Sequence, residues 1–127
     1  MIPRLKRLTR VRKRQRQVAT ARLQHTQQRA AQVEAKLDAM NTTAKQRAAT
    51  GARAGEIEAW SAGAAAVSRE LARAMVFVRH TAYEVQARSN AERQAELLLE
   101  RAREERRLEM NRREQQESDD RAGRKRS

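Results

Sequence analysis

Asn41-Thr42-Thr43-Ala44-Lys45-Gln46-Arg47-Ala48-Ala49-Thr50-Gly51-Ala52-Arg53-Ala54-Gly55 is the stretch in which turn-forming residues gather in this chain of 127 residues. Two of the four glycines lie here, and glycine supplies the backbone freedom that a chain reversal needs. The sequence on either side reads as helix. The stretch therefore predicts one fold-back joining two long helices, with the turn at about residues 50–55. A second break at Ser61–Gly63 is a weaker candidate, because Ala64-Ala65-Ala66 continues a helix readily.

Upstream, the single proline, Pro3, sits where the first turn of a helix tolerates it. Leu5, Leu8, Val11 and Val18 follow at helical spacings. The apolar stripe then slips by one residue and continues through Ala19, Leu23, Thr26, Ala30, Val33, Leu37, Met40 and Ala44 in alternating steps of three and four. Downstream, Ile57, Trp60, Ala64, Val67, Leu71, Ala74, Val78 and Val85 repeat the alternation, drifting later to Ala91, Ala95, Leu98 and Ala102. Beyond Glu100 most residues are charged, with Glu100/Arg103, Glu104/Arg107 and Glu109/Arg113 spaced to lie side by side on a helix. The expected fold is all-α: a long antiparallel two-helix coiled-coil hairpin. It has helix 1 at about residues 3–49, helix 2 at about 56–118 and a flexible basic tail at 119–127.

Composition agrees. Hydrophobic residues make up 39% of the chain but nearly half of them are alanine, and aromatics make up 2%, so a thick globular core is excluded. Disorder is the competing reading of such a charged chain, and the seam periodicity argues against it. Without cysteine there is neither a disulfide framework nor a thiolate metal site, which fits a reducing compartment. No apolar run approaches the length of a membrane span, and the start lacks the apolar stretch of a secretory signal. The basic, acid-free beginning superficially matches an organellar transit peptide. It is poor in serine, however, and runs unbroken into the helical pattern.

The net charge of +13 is concentrated at the ends. Met1 to Val33 holds ten Lys or Arg and no acid, and four more bases lie at Arg121, Arg124, Lys125 and Arg126. A single fold-back brings these basic ends to the same end of the molecule and leaves the turn end near neutral.

Nothing in the sequence reads as catalytic. His25 and His80 have no cysteine or histidine three or four residues away, no glycine-rich loop follows a strand, and no serine carries a hydrolase signature. The expectation is no enzyme, no cofactor and no metal. Trp60, Phe77 and Tyr83, the only aromatics, fill out the seam or form a partner-binding patch; Phe77 falls beside the stripe of Ala74 and Val78. The basic first arm suits a nucleic acid, an anionic membrane surface through Leu5, Leu8 and Val11, or an acidic protein groove. It lacks a reading motif and stacking aromatics, which argues against specific nucleic-acid binding and keeps a nucleic-acid-associated coiled coil as the alternative.

The opening Pro3-Arg4-Leu5-Lys6-Arg7-Leu8-Thr9-Arg10-Val11-Arg12 and its run into Gln-, Ala- and Arg-rich heptads resembles the start of the FliJ-like stalk proteins of flagellar and type III secretion export machines. The resemblance extends over nearly the whole chain, whose shortness points to the secretion-system branch (SctO, YscO, HrpO). It implies an antiparallel hairpin at the cytoplasmic face of the inner membrane, held there through its partners. The end bearing the termini would enter the central hole of an export ATPase hexamer, and the far half would meet the export gate protein. By region, the resemblance makes Arg4, Lys6, Arg7, Arg10 and Arg14 ATPase-facing, and Trp60, Phe77, His80 and Tyr83 gate-facing. Escorting export chaperones is a further role of that family.

Overall fold

The computed structural model describes residues 1–126, with side chains through Lys125. The chain is 96% helical. Helix α1 spans Ile2–Ala49 and α2 spans Ala54–Arg126, and the two pack against each other as an all-α hairpin without strands among the described residues. Pro3 lies in the first turn of α1, where its missing N–H has no helical acceptor to lose. Gly63 does not break α2; it faces the Met40 methyl, which an added Cβ would meet at 3.1 Å.

The reversal is a Schellman cap. Gly51 takes φ +88°, the left-handed conformation that a side chain resists. The Ala52 N–H then reaches the Arg47 carbonyl at 3.1 Å and the Gly51 N–H the Ala48 carbonyl at 3.4 Å. Thr50 Oγ1 donates to the Gln46 and Arg47 carbonyls, so the carbonyls of Gln46, Arg47 and Ala48 in the last turn of α1 have partners. Helix α2 starts at once, with the Glu56 and Ile57 amides on the Arg53 carbonyl and Glu56 in the first turn, where its charge complements the helix dipole.

The chain forms two compact units. The first combines Met1–Arg16 with the part of α2 from Arg88 onward; the second, Gln17–Ala87, contains the turn. In the second unit the helices run antiparallel: Arg22 pairs with Glu84 at 3.2 Å, Thr26 Oγ1 meets Thr81 Oγ1 at 2.9 Å, and the Arg47 guanidinium stands 5.9 Å from the Trp60 ring centre. Its buried residues are Ala19, Ala30, Val33, Val67 and Ala74. The first unit is antiparallel too: Arg16 donates to Glu92, Arg88 reaches Gln15, and Met1–Pro3 lie beside Ala102, Glu105 and Arg106. There, among the described residues, only Ala95 and Leu99 are buried, both on α2.

The seam departs from the apolar stripe at both of its ends. Half-buried and buried positions on α1 include Ile2, Leu5, Thr9, Arg12, Arg16, Ala19 and Leu23, an unbroken three-four alternation. The expected slip after Val18 is absent, and Val11 and Val18 face solvent. On α2 the alternation runs Val85, Arg88, Glu92, Ala95, Leu99 and Ala102, so there is no drift onto Leu98, which is 47% exposed against 8% for Leu99. Charged side chains take seam positions because their aliphatic stems cover the partner helix while their heads pair at its edge.

Helix α2 also continues past Ser118, the expected start of a flexible tail, to Arg126. Every residue from Arg103 to Lys125 is exposed, so this stretch draws nothing from packing and relies on local pairs such as Glu104/Arg107 and Glu109/Arg113. The basic ends are consequently not neighbours. Met1 lies beside Glu105 and Glu109, and Arg121 falls about 20 Å further along α2 at the helical rise.

Candidate partner-binding surfaces

In the first unit, Arg4, Lys6, Arg7, Arg10 and Arg14 are all exposed, and among the described residues none of the five is in an ion pair. The seam decides this. Ile2, Leu5, Leu8 and Thr9 turn toward α2, which leaves Arg7, Arg10 and Arg14 on the opposite side of α1. Lys6 stands at the edge, in a hollow it shares with Ile2, Arg103, Arg107 and Met110. With no acid on α1 before Glu34, these five present a positive face, although Glu114 of α2 lines the hollow beside Lys6.

The most regular part of the first unit is its charged layer. Arg16 Nε donates to Glu92, whose side chain is 12% exposed, and Gln15 Oε1 accepts from Arg12 at 3.1 Å and from Arg88 at 3.5 Å. Sequence reading missed this layer because it sought apolar residues. The signal was the strict spacing of Thr9, Arg12, Arg16 and Ala19 irrespective of hydrophobicity.

In the second unit the four gate-facing candidates separate. Trp60 is half-buried beneath Arg47 next to the turn, a seam position capped by a cation–π contact. Phe77, His80 and Tyr83 lie within two turns of one another on α2, about 25 Å along the helix from Trp60. Phe77 is 63% exposed and Tyr83 77%, and Val76, beside them, is 59% exposed. Phe77 also walls a shallow hollow of about 360 Å³ with His25, Arg29, Val33, Arg73 and Ala74, across which Arg29 and Glu70 approach to 4.0 Å. This hollow needs both helices to exist, and sequence alone did not place His25 or Arg73 in it.

Chemically, these surfaces offer recognition. Among the described residues no group of three or more His, Cys, Asp or Glu is placed to hold a metal ion, and no helix is long and apolar enough to cross a membrane. Among the described residues the perturbed side chains belong to one exposed pair: Glu104 is held below the usual carboxylate range by a hydrogen bond and charge from Arg107, whose own pKa is raised in return. The fold and these surfaces define an all-α helical hairpin with exposed cationic and aromatic faces. No protein-family model matches the chain, and no curated protein or solved structure matches it either.

Proposed function

We propose that this chain is a non-enzymatic central stalk of a bacterial type III secretion or flagellar export apparatus, coupling the export ATPase hexamer to the membrane export gate. The observation that carries the reading is the unpaired cationic face of Arg4, Lys6, Arg7, Arg10 and Arg14 on an antiparallel helical hairpin. The resemblance of residues 3–12 to the FliJ-like proteins supports it. In this reading the five cations meet acidic side chains lining the ring, while Phe77, His80 and Tyr83 supply aromatic anchors for the gate. The action is positional: an asymmetric helical surface inside a ring favours closure of some subunits over others, and the chain itself hydrolyses nothing.

The test is reconstitution with a bacterial type III export ATPase. Wild-type chain should raise hexamer formation and ATP turnover, and Arg4→Glu/Arg7→Glu/Arg10→Glu should abolish the increase while keeping full helicity. Undiminished stimulation by that variant would refute the ATPase-facing assignment. The unpaired cations also favour a second reading, a nucleic-acid-associated coiled coil. It requires tight binding to random duplex that falls steeply between low and moderate salt.

A further inference from the structure

We infer that the first four turns of α1, residues 2–14, form a detachable arm that leaves α2 and lies on an anionic lipid surface. This goes beyond the stalk reading and does not rest on it, since the contact is with lipid itself rather than through protein partners.

Three observations converge on this arm. Its packing is weak: no residue before Ala19 is buried, whereas Ala19 is 1% exposed and begins the closed part of the α1 seam. Leu5 and Leu8 are only half-buried, and the α1 seam positions that follow are Thr9, Arg12 and Arg16. A segment with few buried apolar contacts opens at low free energy, independently of global unfolding.

Its two faces also suit an interface. Ile2, Leu5 and Leu8 lie on the side turned to α2 together with Thr9 and Arg12, Arg7, Arg10 and Arg14 lie away from it, and Lys6 and Lys13 flank the two. Once released, the arm is a helix with Ile2, Leu5 and Leu8 on one side, where the long stem of Arg12 lets its charge reach outward, and an acid-free cationic side opposite, an arrangement that suits a headgroup layer. A free helix of this length is marginal in water, so the surface that receives it also holds it helical.

The charge selects the surface. Arg4, Lys6, Arg7, Arg10, Arg12, Lys13 and Arg14 carry no compensating acid on α1, and each cation near an anionic leaflet adds to the attraction. A nucleic acid would use the same cations but would gain nothing from leucines recurring between them, and the arm has no aromatic residue on which bases could stack.

The full chain is tested by flotation with phosphatidylcholine vesicles, with and without phosphatidylglycerol. Binding is expected only with phosphatidylglycerol. Lys6→Gln/Arg10→Gln/Lys13→Gln, which leaves the seam untouched, should weaken it about a hundredfold, at about fivefold per cation. Leu5→Ser/Leu8→Ser should weaken it by more than about tenfold. Undocking has its own readout, because the chain contains no cysteine. Ile2→Cys/Arg106→Cys, placed at two residues lining one hollow, locks the arm to α2 when oxidised and should bind only after reduction. Equal binding of the oxidised and reduced forms, or full binding by Leu5→Ser/Leu8→Ser, would overturn the detachable arm. Binding to duplex DNA with none to vesicles would overturn the lipid assignment.

Discussion

Replacing the charged layer of the first unit by leucine should stabilise the protein, whereas either single replacement should bring no gain, because the leucine it adds is offset by the charge it orphans. Arg16 and Glu92 hold seam positions with their side chains 33% and 12% exposed, and Arg88 stands close by on Gln15. Removing only Glu92 leaves Arg16 without its carboxylate in a partly desolvated seam. The cost is about 1–2 kcal/mol, discounted from a fully buried pair because water still reaches Arg16. In Arg16→Leu/Glu92→Leu both charges go, and two leucines take the same space. Leucine burial is worth about 1.5–3 kcal/mol each when complete, so at this partial burial the pair contributes roughly 3 kcal/mol. Subtracting about 1 kcal/mol for the lost ion pair leaves a net gain of about 2 kcal/mol. Urea melts followed by circular dichroism on wild type, both singles and the double give the cycle directly. A double variant no more stable than wild type, or a Glu92→Leu as stable as the double, would refute the placement of this pair in the seam.

Gly51, at the helix cap, and Gly63, inside α2, should respond in opposite directions to alanine. Gly51→Ala forces a side chain into the left-handed cap at φ +88° and should cost about 1–2 kcal/mol, lowering the melting temperature. Gly63→Ala should add about 0.5–1 kcal/mol, because the helix gains a better former and the Met40 methyl, at the end of a flexible chain, can yield a few tenths of an ångström. Leu99→Ala should cost about 2 kcal/mol or more in urea melts, whereas Leu98→Ala, one residue earlier and half exposed, should fall within about 0.5 kcal/mol of wild type. The Glu104 carboxyl should titrate by carbon-detected NMR below an ordinary glutamate, and Arg107→Gln should return it to the usual range. Because its folded pKa is depressed, the Glu104/Arg107 contact helps α2 above the ordinary carboxylate pKa. That help is lost as pH falls through the folded value, with a small amplitude on so exposed a pair.

Sequence alone determined that the chain is helical and where it turns. Alanine, arginine, glutamine and glutamate leave few breakers, so the local backbone preference is nearly uniform, and Thr50-Gly51 is where a left-handed cap can form without strain. The middle of the seam was legible for the same reason, since Ala19 to Ala44 and Trp60 to Val85 place apolar residues where a partner helix must touch. Tertiary structure decided the rest of the seam. Apolar periodicity counts Val11, Val18 and Leu98 as contacts and passes over Arg12, Arg16, Arg88 and Glu92. The facing helix imposes an unbroken three-four register, whatever residues occupy it. A long charged side chain can satisfy that register by burying its stem and pairing its head, a solution visible only when both helices are present. The candidate surfaces follow the same division. Which arginines crowd the first arm is read from the chain, but which of them face away from α2, and which aromatics stand free of it, depends on where the partner helix lies.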